Sequence, residues 1–230
     1  MPPADLTDFT GAQPPRRETI HGRFVDLEPL DSAAHGDDLF AEVTAPTGID
    51  DRFRYLPQTP QTDRGEFDSW IAEAAGSPDP LFFAVVDRST GRALGRQALM
   101  RIDAANGVIE IGHILWGPSL SRTAAATEAL FLCAELVFAS GFRRFEWKCD
   151  DDNVPSKRAA ERFGFTFEGV FRQHLVVKGR NRDTAWFSII DSEWPSLRQG
   201  YRAWFDEANF DADGRQRESL RALIAAARHG

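Results

Sequence analysis

Apolar and polar positions in the first half of the chain predict helices followed by three strands joined through tight turns. Phe67, Trp70 and Ile71 recur at helical spacing behind a capping residue at Thr62 or Asp63. Three apolar runs come next, and the turn residues between them favour an antiparallel meander. The elements predicted for this half are strands over residues 22–29, 81–87, 93–102 and 108–116, a helix over 31–43, and a helix from 62 or 63 onward.

The spacing of the apolar positions changes after Trp116. Residues 123–140 repeat with helical period, whereas Phe145, Trp147 and Cys149 alternate with charged residues and predict a strand with one buried face. A strand, a helix and a further strand in succession imply that two strands run parallel. We therefore expect a mixed α/β fold, in which a twisted, mostly antiparallel sheet contains one parallel pair and has helices on both faces. The remaining predicted elements are a helix over 155–163, strands over 165–173 and 184–191, and helices over 194–208 and 216–228.

Composition narrows the classes of function. The 230 residues have a formal net charge of −8, which argues against general nucleic-acid binding because phosphate contacts need clustered Lys and Arg. Cys133 and Cys149 lie in apolar runs without a histidine cluster, so we expect buried thiols and no disulfide or metal site. No apolar run reaches the length of a membrane span, and we expect a cytoplasmic protein. The Pro-rich residues 1–19 are expected to form a flexible arm.

The segment from Trp116 to Phe138 has the most informative chemistry. A strand ends, a short loop follows and a helix of small residues begins, which presents unpaired N–H groups and the positive end of a helix dipole. Small side chains let a diphosphate approach this backbone, and Arg122 and Thr127 are placed to add side-chain contacts. Tight packing of the helix on the sheet explains the same alanines, so both interpretations stay open.

Four segments, in this order, resemble the GNAT superfamily and in particular its RimJ/RimL-like branch. Ile109 to Trp116 resembles the fourth strand of that family, and Ser121 to Ala129 resembles its pyrophosphate loop and helix. Asp151 to Phe165 resembles the N-x-x-S segment that ends in Gly-Phe, and Phe167 to Arg172 resembles the next strand. The resemblance covers residues 22–194.

The pyrophosphate loop departs from the family pattern. Where the family usually has Gln or Arg, then Gly, then Gly or Ala, this chain has Ser121, Ala124 and Ala126. Alanine at position 124 is unstrained if its φ and ψ are helical, and it favours the helix by about 1 kcal/mol over glycine.

The resemblance implies an N-acetyltransferase, in which a neutral amine attacks the thioester of acetyl-CoA in a ternary complex without a metal. The pantetheine arm of acetyl-CoA is then expected in a splay between strands 108–116 and 144–150, with the family domain over residues 20–194 and a helical extension over 195–230. The implied cofactor-binding residues are Ile114, Leu115, Trp116, Ser121, Arg122, Thr123, Ala124, Ala125, Ala126, Thr127, Asn153 and Arg158.

Two residues of the fourth strand are candidates for the general base. The resemblance makes Glu110 the base for the ammonium group, directly or through water, and a structural ion pair is the alternative. His113 lies three residues further and points to the opposite face if alternation is strict. A bulge, common in this family, would change that direction, but a packed or surface histidine is the favoured interpretation.

Residues after the fifth strand are candidates for contacts near the reacting sulfur. The resemblance assigns Asn153 to the pantetheine arm and Ser156 to protonation of the departing thiolate. The alternatives are a turn residue at 153 and a first-turn helix residue at 156. Arg158 either approaches the phosphates of the coenzyme or belongs to a solvated helix face.

The acceptor stays open at this stage. A small-molecule amine and the N-terminal amine of a protein are both consistent with the resemblance, and a non-catalytic CoA-binding sensor is a third possibility. Residues 45–60, predicted as a loop, are expected to decide how wide the acceptor site is. Lys178, Arg180 and Arg182 crowd one hairpin, where a solvated turn is favoured over a contact with an anionic substrate group or the 3′-phosphate. The C-terminal helices are the candidate surface for a homodimer.

Overall fold

The computed structural model describes residues 5–45 and 47–229, and eight strands within them form one sheet. The strands are β1 (Ile20–His21), β2 (Val25–Pro29), β3 (Leu81–Asp87), β4 (Ala93–Asp103), β5 (Val108–Trp116), β6 (Arg144–Asp150), β7 (Thr166–Val177) and β8 (Arg180–Ile190). Their order across the sheet is β1-β2-β3-β4-β5-β6-β8-β7. Among these strands β5 and β6 run parallel and the other neighbours are antiparallel, which confirms the predicted fold class.

Seven helices connect or flank the strands in the described residues. They are α1 (Ser32–Thr44), α2 (Ile49–Phe53), α3 (Arg64–Gly76), α4 (Ala124–Ala139), α5 (Val154–Arg162), α6 (Trp194–Phe205) and α7 (Leu220–His229). Residues 1–4 of the predicted arm, Pro46 of the predicted loop and Gly230 lie outside the described residues.

Alternate residues of β3 belong to two separate hydrophobic cores. Phe83 joins the core that contains apolar residues of α4, α6 and α7. Phe82, its neighbour, joins the core that contains residues of α1 and α3. Successive side chains of a strand point to opposite faces of the sheet, so helices cover both faces, as predicted.

Side-chain caps begin several of the helices. Asp31 accepts a hydrogen bond from the Ala34 N–H before α1, and Asp63, rather than Thr62, accepts one from the Glu66 N–H before α3. Thr123 performs the same role for α4. A capping oxygen satisfies one of the N–H groups that the first turn leaves unpaired.

Several predicted boundaries were wrong. Residues 45–60 are not all loop, because they contain the short helix α2. The basic hairpin is only a tight turn at Lys178 and Gly179, since β7 and β8 extend to either side of it. In the C-terminal segment, α6 ends at Phe205 instead of 208, and α7 begins at Leu220 instead of 216.

Both ends of the described chain contact the rest of the molecule. Ala12 N–H donates to the Ala104 carbonyl and Gln13 N–H to the Ser140 carbonyl, at 2.9 Å each. Tyr201 of α6 and Ile224 of α7 are buried in the same core as Phe83 of β3. Within the described ranges, no helix has both the length and the apolar character needed to cross a membrane.

Candidate functional site

A cleft opens where the parallel strands β5 and β6 separate. Their pairing runs from Val108 opposite Arg144 to Ile111 opposite Trp147 and does not continue along the remaining residues of either strand. The cleft has a volume of about 670 Å³. Of the predicted site residues, those that line it are Glu110, His113, Ile114, Arg122, Asn153 and Ser156.

A β-bulge in β5 brings His113 to the cleft. Arg96 pairs with Leu115 and Ala98 with Gly112, so one extra residue is accommodated in β5. His113 has φ of +49°, and its carbonyl accepts a 2.9 Å hydrogen bond from Arg96 Nη1. Glu110 and His113 therefore line the same cleft, which strict alternation would not allow and which the bulge alternative anticipated.

Glu110 is the centre of a buried ion-pair network. Its side chain is 4% exposed, and Oε2 lies 2.6 Å from Arg101 Nη1 and 2.9 Å from Lys148 Nζ. Lys148 also contacts Glu146 Oε2 at 2.7 Å and lies 3.9 Å from the centroid of the Trp186 ring. Glu110 thus takes part in ion pairs with Arg101 and Lys148. Its other oxygen, Oε1, receives no hydrogen bond from any described residue.

His113 is held in its neutral form. Burial lowers its pKa to about 4, and the positive charges of Arg96 and Arg101 act in the same direction. The ring packs 5.2 Å from Phe82, centroid to centroid, and Nδ1 is buried without a hydrogen-bond partner in the described structure. An imidazole with so low a pKa is a weak acceptor for the proton of an ammonium group.

The first turn of α5 holds Ser156 beside two residues of β6. Asn153 Oδ1 accepts a 3.1 Å hydrogen bond from the Ser156 N–H, so Asn153 caps the helix. Trp147 Nε1 donates to Ser156 Oγ at 3.0 Å, so Ser156 accepts this bond and its hydroxyl still has one proton to donate. Burial raises the pKa of the neighbouring Cys149 thiol, although a hydrogen bond with Ser156 opposes this rise.

The start of α4 presents backbone donors without partners. Thr123 Oγ1 accepts from the Ala126 N–H at 3.1 Å. Among the described residues, no acceptor lies opposite the N–H groups of Arg122, Ala124 and Ala125. Arg122 has φ of +66° and lines the cleft. Ala124 is the first residue of α4, so its helical conformation removes the strain that its methyl group would otherwise cause.

Other predicted cofactor-binding side chains do not reach the cleft. Thr127 is buried, and its hydroxyl accepts hydrogen bonds from Arg162 at 3.2 Å instead of facing an anion. Leu115 lies in the core beside α1 and α3, and Trp116 Nε1 donates to Gln97. The remaining residues outside the lining are Ser121, whose hydroxyl donates to the Trp116 carbonyl, Thr123, Ala124, Ala125, Ala126 and the exposed Arg158.

The loop after α2 covers one side of the cleft, which the sequence left undecided. Tyr55 Oη donates to the Asp152 carbonyl at 3.0 Å, and Lys178 Nζ donates to the Phe53 carbonyl at 2.8 Å. These bonds tie the loop to the β6–α5 turn and the end of α2 to the β7–β8 hairpin. The aromatic residues in a Pro-rich segment were the signal for this role.

Residues 25–166 match the sequence profile of the Acetyltransferase (GNAT) domain. The chain belongs to the GNAT acetyltransferase family. This membership identifies the protein as an acyltransferase. The cleft at the open end of the β5–β6 pair is its candidate active site.

Solved structures agree with this family assignment. A GCN5-related N-acetyltransferase from Brucella melitensis is 55% identical, with a TM-score of 0.93 over 96% of this chain and 100% of that one. A probable acetyltransferase of the GNAT family from Chromobacterium violaceum is 39% identical, with a TM-score of 0.77 over 85% of this chain and 98% of that one.

A curated relative matches a shorter region. The uncharacterized N-acetyltransferase p20 of Bacillus licheniformis is 30% identical over 117 residues, which are 49% of this chain and 63% of that protein. The chain thus spans less than two thirds of the length of that relative.

Within residues 5–45 and 47–229, no three His, Cys, Asp or Glu side chains form a group able to hold a metal ion.

Proposed function

We propose that this GNAT acetyltransferase transfers the acetyl group of acetyl-CoA to the primary amine of a small molecule by direct attack in a ternary complex. One observation supports this most strongly: the cleft at the open end of β5 and β6 is lined both by Arg122, at the start of α4, and by Glu110. Acetyl-CoA supplies the acetyl group as a thioester, and every other requirement falls on residues of this chain.

The residues around the start of α4 fit the diphosphate of the coenzyme. The N–H groups of Arg122, Ala124 and Ala125 and the guanidinium of Arg122 are donors without partners in the described structure. Such groups at the positive end of a 16-residue helix form a binding site for anions. Ile114 and Asn153, which line the cleft, are proposed to contact the pantetheine arm.

Glu110 and Ser156 are proposed to move the protons. Glu110 Oε1 accepts a proton from the substrate ammonium, directly or through water. The amine nitrogen then bonds to the acetyl carbon as the carbon–sulfur bond breaks. Ser156, oriented by Trp147, donates its proton to the departing sulfur and recovers one from the nitrogen. His113 is proposed to shape the site and not to act as the base, because its pKa is too low.

A covalent acetyl-cysteine is not needed. Cys149 is the cysteine that lines the cleft, and burial raises the pKa of its thiol. Burial also raises the pKa of Cys133 to about 12. A thiol that stays protonated is a poor nucleophile, and this favours direct transfer.

The loop after α2 favours a small acceptor over the N-terminus of a protein. Its hydrogen bonds from Tyr55 to Asp152 and from Lys178 to Phe53 close part of the cleft that a protein chain would need.

Membership of the RimJ/RimL-like branch and formation of a homodimer stay predictions. The apolar residues of α6 and α7 pack inside the chain, while Phe171 and Val176, on the edge strand β7, are exposed.

The test is release of free thiol from acetyl-CoA by the purified protein in the presence of pools of small primary amines. We expect turnover, and we expect Glu110→Gln to lower kcat by about 10²–10⁴-fold without changing the affinity for CoA. Glu73→Gln, at an exposed position of α3, is the matched control and should keep full activity.

Two outcomes would count against the proposal. Full activity of Glu110→Gln would remove Glu110 as the base. Tight CoA binding without turnover on any amine, including peptides with a free N-terminus, would favour a non-catalytic CoA sensor.

A further inference from the structure

The cleft is positively charged although the chain is acidic. Six cationic side chains and three carboxylates line it, in a protein with a net charge of −8. The cations are Arg52, Arg54, Arg101, Arg122, Lys148 and Arg182, and the carboxylates are Asp51, Glu110 and Asp150.

Four of these cations already have partners within the chain. Arg54 pairs with Asp51 at 2.6 Å, and Arg101 and Lys148 pair with Glu110. Arg52 donates to the backbone carbonyls of residues 43, 45 and 47. Within the described ranges only Arg122 and Arg182 lack such a partner. Arg122 is already assigned to the diphosphate, which leaves Arg182 unexplained.

Arg182 lies on the face of the sheet opposite to α4. In β8 the residues Ala185 and Phe187 belong to the core beneath α4, so by alternation Thr184 and Arg182 point to the other face. Glu110 and Lys148 contact each other on that face. Arg182 therefore lies on the same face of the sheet as the proposed general base, Glu110, and on the opposite face from α4.

The guanidinium of Arg182 is half-buried and incompletely satisfied. Its Nε is buried without a hydrogen-bond partner, and Arg182 forms no ion pair with any residue that the structure describes. A cation withdrawn from water without an anion is unfavourable, and the planar fork of arginine matches a carboxylate or a phosphate.

Resting on the proposed function, we propose that the acceptor is an anionic amine, and that Arg182 binds its carboxylate or phosphate group while Glu110 receives its ammonium group. Arg182 is then a specificity-determining residue. This arrangement explains why Arg182 has no partner in the cleft, whereas Arg101 and Lys148, on the same face, pair with Glu110.

The test compares acceptors that differ only in the acidic group. Amino acids are compared with their carboxamides, and phosphoethanolamine with ethanolamine, so that carboxylate and phosphate are distinguished. We expect at least about ten-fold higher kcat/KM for the acidic member of the preferred pair, as expected for a hydrogen bond to a charged group. Arg182→Gln should abolish this preference by raising KM, while Arg182→Lys should keep part of it and CoA affinity should not change.

Arg180→Gln is the matched control, because Arg180 lies on the same hairpin and is exposed. It should behave as the wild-type protein. Three results would overturn the proposal: equal use of acidic and neutral amines, equal effects of Arg180→Gln and Arg182→Gln, or weaker CoA binding by Arg182→Gln. The last result would assign Arg182 to the 3′-phosphate of the coenzyme.

A binding measurement decides the matter if none of these amines is acetylated. Inorganic phosphate is titrated into protein saturated with CoA, so that the diphosphate site is already filled. We expect binding to the wild type and to Arg180→Gln, and loss of binding in Arg182→Gln; no difference between the variants would overturn the proposal. Absence of CoA binding itself would instead reject the proposed function, and the phosphate titration on the free protein would still report on Arg182.

Discussion

At the scale of single residues, the site is shaped by residues whose pKa or backbone conformation is unusual. His113 has left-handed backbone geometry, and Arg96 holds its carbonyl. Arg96 is itself fully buried, with its guanidinium carbon 4.3 Å from the centroid of the Trp70 ring. These contacts fix the imidazole against the cleft in a neutral form. A buried neutral histidine makes stability depend on pH, because the unfolded chain binds a proton that the folded chain excludes.

Burial of His113 should lower the stability of the protein at acid pH. The pKa of His113 falls from 6.5 to about 4 on folding, so its burial opposes folding increasingly as pH falls from the first value to the second. We expect His113→Asn to lose less unfolding free energy than the wild type over this range. Asparagine is chosen because it tolerates positive φ.

Denaturant unfolding at several pH values measures this effect. At pH values well above 6.5 both proteins are neutral at this position and provide the reference. An identical pH dependence in the two proteins would show that the pKa of His113 is the same in the folded and the unfolded chain.

At the scale of elements, α4 is held at its first two turns by polar contacts to strands. Glu128 is buried, and its carboxylate accepts hydrogen bonds from the N–H groups of Arg23, Phe24 and Val25 at 2.8, 2.6 and 2.9 Å. Gln97 of β4 donates to the Ala129 carbonyl at 2.8 Å. The helix that presents the proposed anion site is thereby fixed against both the β1–β2 bend and the middle of the sheet.

Removing the Glu128 carboxylate should therefore be costly. We expect Glu128→Ala to lower the free energy of unfolding by about 3 kcal/mol, because it leaves buried N–H groups without acceptors. Chemical denaturation measures the change, and Glu73→Ala on the exposed side of α3 should change it little. A loss no larger than that of the control would mean that water replaces the carboxylate.

The sequence predicts elements better than it predicts the site. The bounds of β3 and β5 follow from apolar runs closed by turn residues, and the cap at Asp63 follows from local chemistry. The bulge at His113 depends on Arg96, a residue of another strand, so no local pattern reveals it. Thr127 was expected to face an anion, but its hydroxyl accepts a hydrogen bond from Arg162 of α5.

The sequence also did not reveal which charged residues form ion pairs. The alternation of Glu146 and Lys148 indicated a polar face, yet only the parallel register brings Lys148 to Glu110. The exposure of Arg182 to the cleft likewise depends on the β8 register. Residues whose role is set by contacts between distant strands therefore lie beyond what spacing along one chain predicts.

At the scale of the whole molecule, the central feature is a passage between the two faces of the sheet. Helices α4 and α6 cover one face and α1 and α3 the other, while β5 and β6 separate between them. A thioester bound at the start of α4 and an amine near Glu110 would meet in this gap. Binding of the thioester therefore depends on the backbone amides at the start of α4.

The most direct test is calorimetric titration of CoA into Ala124→Pro. Proline is tolerated at the first helical position, and Thr123, with φ of −100° and ψ of 170°, has the conformation that precedes proline. The substitution therefore removes one N–H donor while keeping the helix, whereas Ala124→Gly keeps the donor and serves as control. We expect Ala124→Pro to bind CoA at least about ten-fold more weakly with an unchanged melting temperature, and Ala124→Gly to bind like the wild type. Undiminished CoA binding by Ala124→Pro would contradict this expectation.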